Sequence, residues 1–502
     1  MRKDMTYFLG LDIGTSSVKA ALVDERGRVK GSLAVAHPLF TPQPGWAEQK
    51  PEHWWKSTMG AVRRLLAATR VAPKRVAAVG ISGQMHSSVF LDRSGKVIRP
   101  ALLWNDGRTT EECREITALI GEKTLAEWVQ NPALEGFTLP KVLWLRKHEP
   151  AAFGRLAKVI LAKDYVRYRL TGTLASEPSD ASATLMYDVA DRRWSSEIMG
   201  ALHLSTNLLV DVGGSTEILG RLSPEGARAT GLAPETPVVG GGADNACGAV
   251  GVGIVAPGEA VASWGTSGTV LTPTREPFVD PGMRVHTFCH AVPDTWYLMG
   301  AMLSAGAAFT WYRRELARDL ADSKNADLAL NKEARRIAPG AEGVTFLPYL
   351  QGERTPHRDA SARGAFVGLS LSHTRAHLSR AVVEGICFAL RDSLTILHDL
   401  GVAIDKVLVT GGGAVSPFVR QTQADVYGLP VVRVNREEGP AYGAALLAAV
   451  GVEAFPDVAA ACRATLKRLA PERFDEEAHR AYAAPYRRFR ALYPALKSMT
   501  AS

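Results

Sequence analysis

At 502 residues, with a formal net charge of +8, the chain has room for two or three domains with full cores. Its composition, 46% hydrophobic and 22% charged, is that of a globular protein and carries no disorder signature. Cys113, Cys247, Cys289, Cys387 and Cys462 are odd in number and show no C-x-x-C spacing, which argues against a disulfide framework or a zinc site and for a reducing compartment. No run approaches the ~20 apolar residues of a membrane span. Met1–Thr6 has no signal-peptide core, so the expected location is cytoplasmic. The excess positive charge suits an anionic ligand but reads first as a solubility charge. Without interleaved aromatics or a basic stripe it gives no case for nucleic acid.

In chain order, residues 7–37 read as a three-stranded meander, with turns at Gly14-Thr15-Ser16 and at Asp24-Glu25-Arg26-Gly27. A helix over 51–69 opens on Pro51 and places Trp54, Trp55, Met59, Val62 and Leu65 at helical spacing. Val76–Ile81 is a buried strand. Residues 108–120 are helical, and so are 138–170, with a break near Pro150. Pro237–Gly242 is a strand running into glycines, and residues 246–251 start a helix that Asn245 would cap. A second strand-turn-strand unit follows at Gly265-Thr266-Ser267, roughly 250 residues after the first. Helices over 304–320, 376–400, 416–428 and 440–450, and a strand at Lys406–Thr410, complete a mixed α/β chain. Arg480, Arg487, Arg488 and Arg490 form the solvated face of a terminal helix. The pattern restarts near 247–255, which divides the chain into lobes of residues 1–247 and 248–502.

The two Gly-Thr-Ser turns offer backbone N–H groups and hydroxyls without bulk, a concave donor set suited to phosphate. Two of them, one per half, suggest related lobes gripping one polyphosphate. Asp12, at the end of an apolar strand beside the first turn, would meet a phosphate only through a cation, or else it stabilises the turn. Lys19, on the return strand, either approaches a phosphate or is an exposed strand lysine. Asp244 follows three glycines and an alanine, where the backbone is free to approach a ligand. A carboxylate there can orient an attacking hydroxyl and accept its proton, or simply cap a helix. Gln84, Met85 and His86 emerge from the strand at 76–81. Met and His suit a polyol's carbon skeleton and hydroxyls, although a lone His is more often structural. Trp104 could stack on a sugar face and Asp106 accept from hydroxyls; alternatively they are a core aromatic and an ordinary turn. Thr410–Pro417 joins strand to helix through Gly411, Gly412 and Gly413, with Ser416 as N-cap and Pro417 as first helical residue. It is not G-x-G-x-x-G, which disfavours a nicotinamide dehydrogenase.

Gly136-Phe-Thr-Leu-Pro-Lys-Val-Leu-Trp-Leu-Arg-Lys-His148, and Gly364–Leu369 continuing to His377–Glu384, resemble the two signatures of the FGGY carbohydrate kinases. Gly83–His86, Leu103–Arg108, Lys163-Asp164-Tyr165 and Gly240–Gly251 are most similar to the xylulokinase branch of that family. The resemblance implies a two-lobed ribonuclease H-like (actin-like ATPase) fold with a central ligand cleft. It implies ATP-dependent phosphorylation of D-xylulose in pentose catabolism, with ATP and Mg²⁺ as cofactors. It makes Asp244 the catalytic base and Gln84, Met85, His86, Trp104, Asp106 and Asp244 the sugar pocket. Gly14, Thr15, Ser16, Lys19, Gly265, Thr266, Ser267, Gly412, Gly413 and Ser416 would contact the nucleotide, with Gly412 and Gly413 against its base or ribose. Asp12 and Asp244 would hold the metal, directly or through water. The helix from Gly439 would pack across the lobes near the hinge, and a homodimer is an expected assembly. Two positions depart from the branch: Ala243 stands where a third glycine is common, and Ser87 where glycine is. Met-His-Ser is similar to the gluconate kinases of the same family. Glycerol is disfavoured, because glycerol kinases usually carry Arg-Glu where this chain has Met85-His86. An actin-like ATPase without a sugar substrate would need neither Asp244 nor the 83–108 pocket.

Overall fold

The computed structural model describes residues 5–436 and 438–500; the polar lead-in at residues 1–4 lies outside them. In the first lobe, β1 (Tyr7–Ile13), β2 (Ser17–Asp24) and β3 (Val29–Ala36) form an antiparallel meander. The turn at 14–16 separates β1 from β2, and Gly14 N–H donates to Ser17 O at 3.1 Å. Helix α1 (Pro51–Thr69) packs over β2 and β3, burying Trp54, Trp55, Val62 and Leu65 on one face. Strand β4 (Val76–Gly83) then lies parallel to β1. Strands β5 (Ile218–Arg221) and β6 (Pro237–Val239) extend the sheet, and the short β7 (Gly242–Ala243) pairs with the far end of β4. The order is β5-β6-β4-β1-β2-β3.

The second lobe repeats this plan. Strands β8 (Gly258–Trp264), β9 (Gly268–Thr274), β10 (His286–Cys289) and β11 (Trp296–Met302) are antiparallel in the order β10-β11-β9-β8. Strand β12 (Ile404–Gly411) runs parallel to β8, as β4 does to β1, and β13 (Val431–Val432) runs parallel to β12. In both lobes an antiparallel run of strands, three in the first and four in the second, is joined after a helical excursion by a parallel strand along its first member. This is the two-lobed ribonuclease H-like arrangement of the actin-like ATPases.

The helices that position the site are α2 (Asp244–Val252), α3 (Gly306–Leu316), α4 (Arg375–Asp399), α5 (Pro417–Tyr427) and α6 (Pro440–Gly451). Helix α6 is contributed late in the chain, yet it lies on the first-lobe sheet. A Cβ at Gly10 would stand 1.8 Å from Ala441 O, and one at Gly80 1.9 Å from Ala444 O, so only glycine admits this approach. The same helix crosses α2 with equal closeness: a Cβ at Gly443 would stand 1.9 Å from Cys247 O.

Two expectations need correction. The stretch 138–170 is not one broken helix. It forms helices Thr138–His148, Pro150–Phe153 and Ala162–Thr171 around a strand, Lys158–Ile160, that pairs antiparallel with Val89–Leu91. A three-residue apolar strand between helices has too little length to show a period of two. Asn245 does not cap α2: extended Ala243 is the cap residue, and Asp244 opens the helix. Ser416 does cap α5, accepting from Val419 N–H at 3.4 Å, with Pro417 in the first turn. All five cysteines are free and buried. Among the described residues no helix is long and apolar enough to cross a membrane.

Candidate active site

The parallel ends of β1, β4 and β7 lie side by side. Asp12 and Gly242 flank Ser82, and Ile13 and Ala243 flank Gly83. The carboxyl ends of parallel strands are where open α/β sheets bind ligands. Asp12 comes from one side of this edge and Asp244, one residue beyond β7, from the other. Asp12 Oδ1 is shut off from solvent and has no hydrogen-bond partner. Desolvation raises the Asp12 carboxyl to about 6, opposed by Lys19, its partner across the β1–β2 ladder, and by Ser82. Asp244 is pushed up to about 7, first by burial and then by the charge of Asp12; bonds from Asn245 oppose the shift. Asn245 donates to Asp244 Oδ1 from its backbone at 2.7 Å and from Nδ2 at 3.0 Å. Two carboxyls that repel each other, one with an orphaned oxygen, suit a shared hard cation.

Beside them, β4 runs on into Gln84, Met85 and His86. His86 holds φ at 65°, an uncommon conformation for a residue with a Cβ. Its Nδ1 lies 2.5 Å from Ala183 O, which assigns the proton to Nδ1 and leaves Nε2 as an acceptor. Burial lowers its pKa to about 3, so the ring is neutral. Met85 Sδ is met by Asn245 Nδ2 at 3.5 Å and, from the second lobe, by Tyr297 Oη at 3.9 Å. Trp104 Nε1 donates to Thr15 Oγ1 at 3.0 Å, and Thr15 Oγ1 donates to Gln84 Oε1 at 3.3 Å. Gln84 Nε2 donates in turn to Gln49 Oε1 at 3.1 Å, while Gln49 Nε2 reaches Thr15 O at 2.6 Å. Asp106 is buried, and its carboxylate accepts from Ala47 N–H at 2.6 Å and from Arg108 through N–H, Nε and Nη2. Those four donors occupy the four acceptor directions of a carboxylate. Ser87, also buried, turns its hydroxyl to Met85 O at 3.4 Å.

In the second lobe a cleft of about 760 Å³ is lined by Gly265, Thr266, Gly412, Gly413 and Ser416, together with Trp264, Trp311 and Asn331. Gly413 lies flat on the Trp264 ring, where a Cβ would stand 2.5 Å from ring atoms. The turn at 265–267 is anchored by α3: Gly306 N–H donates to Gly265 O at 2.8 Å, and Ala305 and Ala307 N–H to Thr266 O at 3.1 and 3.0 Å. The cleft thus gathers five of the residues expected at the nucleotide. Gly14, Thr15, Ser16 and Lys19 stand apart from it, on the first-lobe hairpin beside Asp12, and Ser267 is not among its lining residues.

Sequence reading did not find Gln49, Trp311, Asn331 or the support behind Asp244. Ala243 N–H donates to Ser179 Oγ at 2.9 Å, and Ser179 Oγ donates to Glu177 Oε1 at 2.8 Å. Glu177 Oε2 takes Ser215 Oγ at 2.9 Å, and Ser215 O takes Gly241 N–H at 2.8 Å. Arg167 Nη1 donates to Gly240 O at 2.9 Å. Lys163, fully buried, pairs with Asp164 at 2.8 Å, Asp180 at 3.2 Å and Glu177 at 3.4 Å. The polar groups of the 240–243 run are therefore held by a buried charged cluster. The Glu177-Pro-Ser179 spacing, with Pro at the first helical position, was a local capping signal. Its long-range target left no trace in the sequence.

The N-terminal domain of the FGGY family of carbohydrate kinases matches residues 7–251, and the C-terminal domain matches residues 260–452. The chain is 40% identical over 447 residues to a xylulose kinase of Bacillus subtilis, covering 89% of this chain and 88% of that one. It is 42% identical over 444 residues to a xylulose kinase of Escherichia coli, covering 88% and 90% respectively. Among solved structures, one described as a xyloylose kinase from Brucella ovis superposes with a TM-score of 0.90 at 36% identity, covering 98% of this chain and all of that one.

Proposed function

The chain belongs to the FGGY family of carbohydrate kinases, and on that premise we propose that it transfers the γ-phosphoryl of ATP to the terminal hydroxyl of D-xylulose. The observation that carries this reading is the edge formed by β1, β4 and β7. It sets Asp12 and Asp244 between a phosphate-type turn and the Met85–His86 loop. The 40% and 42% identical relatives are named xylulose kinases, which supports a xylulose as the acceptor.

Asp244 orients the attacking hydroxyl and accepts its proton as the new P–O bond forms; the β–γ bridging oxygen leaves with ADP. A base raised toward neutral pH is matched to that task. Asp12 and Asp244 would hold Mg²⁺, which, when bound, would neutralise the phosphate oxygens. The backbone of Gly14–Ser16 and of Gly265–Ser267 embraces the phosphates from opposite lobes, with Lys19 beside the first. The adenosine lies over Gly412 and Gly413, near Ser416, the N-cap of α5. His86 Nε2 accepts from a sugar hydroxyl, Met85 lies against the carbon skeleton, and Trp104 covers a sugar face. Gln84 fixes Thr15, and Asp106, whose acceptor directions are filled, holds the turn that carries Trp104. Buried groups placed for one epimer are left unpaired by another, at ~1–3 kcal/mol each.

Ser87, which would point to D-gluconate, faces its own backbone rather than the pocket. The test is ADP release with ATP and Mg²⁺ across D-xylulose, D-ribulose, L-xylulose, D-gluconate and glycerol. D-Xylulose should give the highest kcat/KM. A higher value for D-gluconate or glycerol overturns the assignment of the acceptor.

A further inference from the structure

Arg354 sits on a second-lobe segment that the proposed reaction has not used. Its backbone is tightly held. Glu353 Oε1 accepts from Arg354 N–H at 2.7 Å and from Leu303 N–H at 3.1 Å, and Thr355 pairs with Ala301 at 2.9 and 3.0 Å. The side chain leaves this clamp and crosses to the first lobe. Its Nη2 lies 3.2 Å from where a Cβ of Gly136 would stand, and Trp104 O lies 2.9 Å from the same point. Any side chain at residue 136 would contest the space that the guanidinium takes.

The guanidinium makes no hydrogen bond and no ion pair with any described residue. It borders a pocket of about 490 Å³ between the lobes, lined also by Cys113, Glu135 and Leu303. Its charge is felt by His86, Lys141 and His286, each of which it makes harder to protonate. It is not among the charges acting on Asp12 or Asp244. With Trp104 O and the guanidinium both within about 3 Å of the same point beside Gly136, the cation stands next to the Trp104 backbone, on the side of the proposed sugar pocket away from Asp12 and Asp244. An arginine stays charged, and its five rigid donors suit adjacent oxygen acceptors. Glu135 and Glu353 favour its charge from nearby without taking a hydrogen bond from the guanidinium, so its donors stay open to such acceptors.

We propose that Arg354 is a substrate-binding residue supplied by the second lobe, donating to the hydroxyl on the sugar carbon farthest from the phosphorylated one. For a ketopentose this is the C1 hydroxyl. The inference rests on the sugar-kinase reading above. It implies that the acceptor is held by both lobes at once, so that sugar binding and lobe closure reinforce each other.

The experiment compares wild type, Arg354→Met and Arg354→Lys with D-xylulose and 1-deoxy-D-xylulose as acceptors, alongside KM for ATP and the melting temperature. Losing a charge-assisted hydrogen bond should lower kcat/KM for D-xylulose by about 10- to 100-fold in Arg354→Met, with KM for ATP unchanged. Arg354→Lys should recover part of the loss. With 1-deoxy-D-xylulose the gap between wild type and either variant should close, because the hydroxyl that Arg354 meets is missing. Arg354→Met with wild-type kcat/KM for D-xylulose overturns the proposal. So does an equal loss on both acceptors, which marks a purely structural arginine. If Arg354→Met does not fold, the two-acceptor comparison with Arg354→Lys decides in the same way. A wild type that phosphorylates no sugar overturns the underlying reading instead, and the proposal with it.

Discussion

Trp104 donates its indole N–H to Thr15 Oγ1 at 3.0 Å, so one hydroxyl joins the proposed sugar pocket to the proposed phosphate turn. Thr15 passes the bond on to Gln84. Thr15→Val should therefore raise KM for sugar as well as for ATP. In a cycle with Trp104→Phe the two effects should be non-additive by about 0.5–3 kcal/mol, the range for residues in one network. Steady-state kinetics of the two single variants and the double variant measure this; strict additivity would show that the bond carries no coupling.

Asp244→Asn keeps the shape of the side chain and removes its basicity. Turnover should fall by ~10²–10⁴, the usual contribution of a general base. Nucleotide affinity, read by calorimetry with ADP, should survive. A variant with near-normal turnover would remove Asp244 from the role of base.

The pH dependence follows from the two raised carboxyls. Burial and mutual repulsion bring Asp12 to about 6 and Asp244 to about 7. kcat/KM for the sugar should thus rise with pH and level off above about 7, because the pair must lose its protons to act. Asp12→Asn removes the repelling charge, so the acidic limb of the residual activity should move to lower pH. The stability consequence has the opposite sense. A carboxyl whose folded pKa lies above its unfolded value of ~3.9 contributes stability that is complete below that value and lost as pH rises through the folded pKa. Melting temperature should fall between about pH 4 and pH 7 on this account, and Mg²⁺ should restore more of it at pH 8 than at pH 5. Equal effects of Mg²⁺ at both pH values would place the ion elsewhere.

Ser179→Ala leaves Ala243 N–H without its 2.9 Å acceptor and frees the run that carries Asp244. The unpaired group costs about 1–3 kcal/mol of stability. The kinetic signature should be a lower kcat with KM for ATP unchanged, since the cleft at 412–416 is remote. A melting shift without any change in kcat would make Ser179 a purely structural residue.

The first meander and the second hairpin were legible because strand alternation and small polar turns are local signals, repeated in each half. Pro51, Ser416 and Pro417 marked helix starts by chemistry that acts within a few residues. The strand at Lys158–Ile160 was missed because three apolar residues between helices show no period. Asn245 looked like a cap by composition, but the pairing of β7 with β4 carries extended backbone through Ala243, so the helix opens two residues earlier. Asp12, Asp244, Met85 and His86 stood out because each sits at the end of a strand or within three residues beyond it. Arg354 and Glu177 did not. Their partners lie more than 60 residues away (Gly136 for one, Ala243 through Ser179 for the other), and nothing in Gly352-Glu-Arg-Thr-Pro-His357 says which way the arginine points.

The seat of α6 on Gly10 and Gly80 also bears on how the protein is made. Strands that leave the ribosome first are covered on one face by a helix that leaves it near the end. At ordinary elongation speeds the interval is roughly 20 to 90 s. During it the glycine-lined face of the first sheet has no native cover, and nascent chains of that length present it to solvent or to a holdase. A stop codon anywhere between residues 250 and 440 should accordingly yield not a folded single lobe but an aggregation-prone product. Supplying residues 253–500 in trans would be the way to rescue it.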